Sequence, residues 1–136
     1  MSNNFQVNIQ KEDLIFLPLG GAGEIGMNCN LYHYLDKWLM IDLGVTFNDE
    51  RVESADLVMP DINFIIERKS KLKGLICTHA HEDHIGAIPY LYDKLGNIPI
   101  FTTPFTASVL RRKFRNDHSL DIKILNYKEK VDIGPF

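Results

Sequence analysis

Cysteine is scarce in this chain of 136 residues: Cys29 and Cys77 are the only two, they lie far apart, and no Cys-x-x-Cys pair occurs. That excludes a disulfide-stapled scaffold, a thiolate zinc knuckle and a dithiol redox motif, and leaves two buried free thiols as the expectation. No apolar run approaches the ~20 residues that span a bilayer. The polar start Met1-Ser2-Asn3-Asn4 also lacks the basic and apolar regions of a signal peptide. A cytoplasmic protein with no membrane partner is the default. Charge of one sign is lacking too: 15 Lys and Arg against 18 Asp and Glu leave a net charge of −3. No global field therefore favours nucleic acid, and any grip on phosphates must come from a local patch or a bound metal. No repeat, low-complexity segment or linker divides the chain, and 45% hydrophobic with 24% charged residues suffices for one core over 1–136.

What the chain does have is Thr78-His79-Ala80-His81-Glu82-Asp83-His84, with three histidines and an aspartate within six residues. It follows the apolar Leu75-Ile76-Cys77, so the ligand-type residues sit at the end of a buried strand. Imidazole nitrogen and carboxylate oxygen are the donors that zinc and similar divalent ions prefer, and His-x-His puts two rings on one side of an extended backbone. A tight turn then brings Asp83 and His84 to a second point nearby, which suits two metal ions and hence hydrolysis. The competing reading, a solvated loop with Asp83 capping a helix, requires four ligand types to coincide by accident.

Around this run the pattern predicts strands first, then alternating helices and strands. Leu14 to Leu19 reads as a strand ended by the glycine-rich loop Gly20 to Gly26, which is either a plain turn or a phosphate cradle. No Gly-Lys-Ser/Thr ending marks a P-loop. Cys29 to Leu35 alternates as a half-buried strand, Asp36-Lys37 makes a turn, and Trp38 to Leu43 is the partner strand. Asp42 ends that strand; a buried carboxylate there needs a charged or hydrogen-bonded partner, such as a ligand histidine, unless it is only a turn former. His33, among Leu31 and Leu35, reads as a core or edge histidine. Phe47 to Pro60 is an acidic loop, and Asp61 caps a short helix that ends near Ser70. Gly74 to Thr78 is the strand that delivers the histidines.

After the motif, Ile85 to Leu95 is a helix closed by Gly96 that starts late or kinks at Pro89. Ile98 to Thr102 is a strand, Thr103-Pro104 opens a helix running to Arg115, and Leu120 to Tyr127 alternates again. The basic end of that helix, Arg111, Arg112, Lys113 and Arg115, is either a solvated dipole-matched face or a contact for RNA phosphates. His118 is read as a surface residue. Val131 to Phe136 starts a further strand, and this apolar ending suggests the front of a longer protein. The element order implies an α/β or mixed α+β layer architecture.

The run His79-x-His81-x-Asp83-His84, reached from a strand ending in Thr78, resembles the signature of the metallo-β-lactamase superfamily, a four-layer αββα sandwich with one or two metals at the sheet edge. Leu19 to Asn28, Ile41 to Gly44, Met59 to Asp61 and Thr78 to Leu91 together resemble the ribonuclease J group of the β-CASP branch. The resemblance implies that 1–136 is the N-terminal part of such a domain. His79 and His81 would hold one zinc and Asp83 with His84 the other, two ions per complete site, with other divalent ions possible. The catalytic residues implied are Asp83, which also orients the attacking hydroxide, and Asp42, which supports the metal site from behind. RNA is the implied substrate, a homo-oligomer the implied assembly, and 5′ exo- or endonucleolytic cleavage the implied activity. The group's further ligands and its clamp domain come after residue 136, so the fragment is expected to be inactive. The alternatives are a hydrolase of small esters or thioesters with the same fold, or a non-catalytic truncated module.

Overall fold

The computed structural model describes residues 8–47, 56–114 and 120–136. Most of the acidic loop expected between Phe47 and Pro60, together with Arg115 and His118, lies outside the described residues. The first part is an antiparallel meander of β1 (Ile15–Gly20), β2 (Cys29–Tyr34) and β3 (Lys37–Ile41), with Leu17 opposite Leu31 and Leu31 opposite Met40. The predicted alternation is present, with Cys29, Leu31 and His33 buried and Asn30 and Tyr32 half-buried. The hairpin turns one residue earlier than expected, at Leu35-Asp36, where φ is +47° and +59°. Positive φ at both central residues is the type I′ geometry, whose twist matches that of two paired strands. Lys37 therefore opens β3. His33 is the core histidine expected: its Nδ1–H donates to the Asp13 carbonyl at 2.8 Å and its ring lies 4.9 Å from that of Trp38.

β4 (Thr46–Phe47) and β5 (Leu57–Val58) form a separate antiparallel pair. β6 (Leu72–Cys77), β7 (Ile100–Thr102) and β8 (Ile122–Ile124) extend the main sheet in parallel, giving the order β1-β2-β3-β6-β7-β8. Parallel neighbours require crossovers. These carry α1 (Asn63–Ile66), α2 (Glu82–Ile85), α3 (Ile88–Leu91) and α4 (Pro104–Lys113), with 3-10 turns at Lys69–Lys71 and Tyr92–Leu95. Trp38, Met40, Leu75 and Ile100 of the sheet are buried with Ile65, Ile85, Ile88, Leu95 and Leu110 of the crossovers in one core. Leu39, on the opposite face of β3 by strand parity, joins a smaller cluster with Phe101 and Ile133. The result is a mixed α/β sheet covered by helices, as the element order predicts.

Several boundaries differ from expectation for identifiable reasons. β3 ends at Ile41 because Asp42 is left-handed, with φ +63°. The single helix expected after the motif is instead α2, α3 and a 3-10 turn, closed as predicted by Gly96 at φ +83°. Pro89 has no N–H to give to a continuous helical ladder. No strand forms at Val131 to Phe136: Gly134 takes φ +60°, and Ile133 and Phe136 exchange backbone hydrogen bonds across a turn. The cap expected at Asp61 falls on Ile62, whose side chain makes no capping bond; Asp61, one residue earlier, accepts from the Asn63 N–H at 2.9 Å in a local turn.

Tyr92 fixes the packing of the second crossover. It is 1% exposed, and its hydroxyl donates to the Ile98 carbonyl at 2.6 Å. Tyr92→Phe is expected to lower the unfolding free energy by about 1 to 2 kcal/mol in a urea titration, because it strips a buried carbonyl of its donor. An unchanged midpoint would mean that water replaces the hydroxyl without cost.

Candidate metal centre

The histidines are delivered by the end of β6. Residues 78–81 leave the sheet, and His81, in an extended conformation, precedes α2, its carbonyl accepting from the N–H groups of His84 and Ile85 at 2.9 and 3.0 Å. This places Asp83 and His84 in the first turn and folds the chain back on itself. The rings of His79 and His81 lie 4.7 Å apart and those of His79 and His84 4.0 Å apart, while Asp83 Oδ2 is 3.2 Å from His84 Nε2. The four residues singled out in the sequence are therefore neighbours.

Asp42 organises them. It is 4% exposed, at the end of β3, and its carboxylate collects three donors. The Thr78 N–H reaches Oδ1 at 2.8 Å, the Thr78 hydroxyl reaches Oδ2 at 2.8 Å, and His84 Nδ1–H reaches Oδ2 at 2.7 Å. These bonds compensate the burial of the charge. They also assign the imidazole tautomers. With its Nδ1 hydrogen on a carboxylate, neutral His84 keeps the lone pair on Nε2. The Thr78 hydroxyl has given its one hydrogen to Asp42, so it accepts from His79 Nδ1, 3.0 Å away, and His79 likewise keeps its lone pair on Nε2. A buried carboxylate that orients ligand histidines is a recurrent support of metal sites.

This donor set fits a divalent cation: two imidazoles with hydrogen-free Nε2 atoms, a third imidazole at His81, and a half-exposed carboxylate at Asp83. The rings are packed on one another, however, and among the described residues no three such donors converge on one point. Holding an ion therefore requires the rings to turn apart. The two cysteines stand aside from this chemistry. Both are free and buried as expected. Burial, with a smaller contribution from the Asp42 charge, pushes the Cys29 thiol up to about 12 and the Cys77 thiol higher still. They stay protonated at neutral pH.

The loop is tied to the sheet by main chain. Leu43 N donates to His84 O (2.8 Å), Val45 N to Glu82 O (3.1 Å), Asn28 N to Asp83 O (2.9 Å) and Gly44 N to Asn28 O (2.9 Å). Gly44 is in such close contact that a Cβ there would lie 1.7 Å from the Asp83 carbonyl oxygen. The glycine-rich segment is a turn packed against Met27 and Asn28; its Gly21 N–H is taken by Glu24 of the same turn at 3.1 Å. Asn28 brings its side chain into the centre: Nδ2 lies 3.1 Å from Asp83 O, 3.2 Å from Asp83 Oδ2 and 3.3 Å from His84 Nε2. The sequence reading included Asn28 in a motif block without giving it a role, and used Thr78 only as the end of a strand.

At the rim, Lys113 of α4 pairs with Glu82, while Arg111 and Arg112 are exposed. One cation of the basic helix end thus meets the histidine loop. A cleft of about 370 Å³ beside Asp83 is lined by Ile25, Gly26, Val45, Thr46 and Phe47. No helix among the described residues is long and apolar enough to cross a membrane.

Known proteins resemble this chain in sequence and in fold. Ribonuclease J of Sinorhizobium meliloti is 46% identical over 134 residues, covering 93% of this chain and 24% of the relative. Ribonuclease J of Helicobacter pylori is 34% identical over 142 residues, covering 100% of this chain and 20% of the relative. The chain thus spans between a fifth and a quarter of the length of the curated relatives it matches. Among solved structures, a quorum-quenching N-acyl homoserine lactone lactonase superposes with a TM-score of 0.54 at 17% identity, over 94% of this chain and 62% of that one. An N-acyl homoserine lactone hydrolase gives 0.52 at 18%, over 93% and 64%. At such identities the likeness is one of fold. The sequence pattern of the Metallo-beta-lactamase superfamily, which implies a divalent-metal-dependent site, matches residues 23–116 and takes in Asn28, Asp42 and the whole run from Thr78 to His84. The chain belongs to the metallo-beta-lactamase superfamily.

Proposed function

We propose that this chain is the N-terminal part of a metal-dependent ribonuclease that hydrolyses RNA phosphodiester bonds, and that it supplies the first half of the metal site. The observation that carries the reading is the hydrogen-bond network of Asp42, which leaves the Nε2 atoms of His79 and His84 without hydrogens, that of His84 beside the Asp83 carboxylate. The identity with ribonuclease J supplies the substrate class. In this reading His79 and His81 hold one zinc ion, Asp83 and His84 a second, and the remaining ligands come from the rest of the longer protein. Ions held there would supply Lewis acidity, acidifying a water toward neutral pH and offsetting negative charge on the phosphate.

The protein's own residues do the rest. Asp42 fixes the tautomer and direction of His84 and, through Thr78, of His79. Asp83 contributes its carboxylate as a ligand and orients the attacking water. The cytoplasm as the place of action and assembly into homo-oligomers belong to the same reading.

Elemental analysis of the purified chain beside a His79→Ala/His81→Ala double variant tests the ligand assignment. Zinc in the wild type and its loss from a folded double variant is the expected result. Full metal content in the double variant would remove both histidines from the ligand set. For the substrate, the full-length protein is offered RNA and small ester or thioester compounds in parallel. RNA cleavage without ester turnover is expected, and the reverse would assign the site to the small-substrate hydrolases of the same fold.

A further inference from the structure

Asn28 has a side chain whose surroundings are specific and whose purpose the reading above does not cover. Its main chain is anchored on both sides, the N–H to Asp83 O and the carbonyl by Gly44 N, each at 2.9 Å. The side chain therefore starts from a fixed point. All three atoms near Nδ2 are acceptors: Asp83 O, Asp83 Oδ2 and His84 Nε2. The amide orientation follows, since turning Oδ1 toward them would face an acceptor with three others. Oδ1 points instead toward Gly21, where an added Cβ would lie 2.4 Å from it, with φ at +85°. The glycine at this position leaves room for the amide.

The electrostatics give the amide its task. Asp83 Oδ2 and His84 Nε2 are 3.2 Å apart, and in the tautomer set by Asp42 both present lone pairs. Two acceptors at that separation repel unless a donor or a cation lies between them. The NH₂ of Asn28 is a donor within reach of both.

We propose that Asn28 is a positioning residue for cation uptake, its amide holding Asp83 and His84 side by side with their lone pairs turned to a common opening, and that Gly21 serves as its seat. This rests on the reading of Asp83 and His84 as metal ligands. Residues that orient ligands in this indirect way typically change metal affinity by about 10- to 100-fold when removed.

The test is titration of the metal-free chain with Zn²⁺, followed by calorimetry and by competition with a chelator, for wild type, Asn28→Leu, Asn28→Ala, Gly21→Ala and the Gly21→Ala/Asn28→Ala pair. Leucine keeps the branched shape of asparagine and lacks the donor. Both Asn28 variants are expected to bind Zn²⁺ about tenfold or more weakly, with metal-free melting temperatures close to wild type. Gly21→Ala should weaken binding similarly and add nothing further once Asn28 is alanine, because its effect passes through the amide. Wild-type affinity in Asn28→Leu would overturn the proposal. So would failure of both Asn28 variants to fold, which would make Asn28 a folding residue. A wild-type chain that takes up no Zn²⁺ would overturn the proposal, because the amide would then prepare no site that captures a cation, while the ligand assignment would still stand for the longer protein with its further ligands.

Discussion

Gly44→Ala is expected to be the most damaging single methyl group that can be added near the site. The new Cβ would lie 1.7 Å from Asp83 O, 2.0 Å from Asp83 C and 2.6 Å from His84 N. These are backbone atoms, so no side chain can swing away to make room. Relief comes only by separating residues 43–45 from the start of α2, which breaks the bonds from Leu43 N to His84 O and from Val45 N to Glu82 O. The loss of stability should be on the order of 3 kcal/mol or more in denaturant unfolding. Zinc uptake should fall with it, because the displaced loop carries His81, Asp83 and His84. Gly23→Ala is the matched control. Its Cβ meets nothing within 4 Å, and only its φ of +73° opposes the change, a cost of about 1 kcal/mol. Equal effects of the two substitutions would show that the close approach at Gly44 relaxes without cost.

Asp42→Asn should leave the fold standing and disable the site. Asparagine tolerates the left-handed backbone of this position, φ +63°, at least as well as aspartate. Its one carbonyl oxygen can take over Oδ1 and keep the Thr78 N–H. An NH₂ group then stands where Oδ2 was, 2.7 Å from His84 Nδ1. It donates where the carboxylate accepted, so the imidazole must move its hydrogen to Nε2 and lose the lone pair that faces Asp83. The same reversal at Thr78 disturbs His79. Zinc affinity should drop by about 10- to 100-fold with little change in melting temperature. The imidazole ¹⁵N shifts of His84 should report the exchanged tautomer. Asp42→Ala is the contrasting case: it strands the Thr78 and His84 donors and puts a Cβ-bearing residue without a local hydrogen bond in the left-handed region. It should cost about 3 kcal/mol or more of stability. Wild-type zinc binding by Asp42→Asn would mean that Asp42 only fills a turn.

What the sequence disclosed, and what it hid, follows the range of the interactions. The alternation of Cys29, Leu31 and His33 and the β-strand before His79 are read from neighbours two residues apart, and they recur in the fold. The His79 to His84 run is local as well, so its residues were singled out together, and the fold makes them neighbours. The turn at Leu35-Asp36 was misplaced by one residue, because left-handed backbone at a leucine carries no compositional signal. The helix after His84 broke into single turns at Pro89, which was legible, and at Ala87, whose N–H goes to the Leu43 carbonyl across the fold, which was not. Asn28 and Thr78 gained their roles from partners 55 and 36 residues away in the chain. Spacing cannot reveal such contacts; they arise only when β2 and β3 pair and β6 lies down beside β3.

The rungs from Leu43, Val45 and Asn28 to residues 82–84 have a thermodynamic consequence. They run through main-chain amides and carbonyls, so the loop is ordered before any cation arrives. Ion capture by such a host loses little chain entropy, with only the torsions of a few rings still to be fixed. The cost of ordering this segment is met during folding of the sheet. Affinity at the site is then governed by where the lone pairs point.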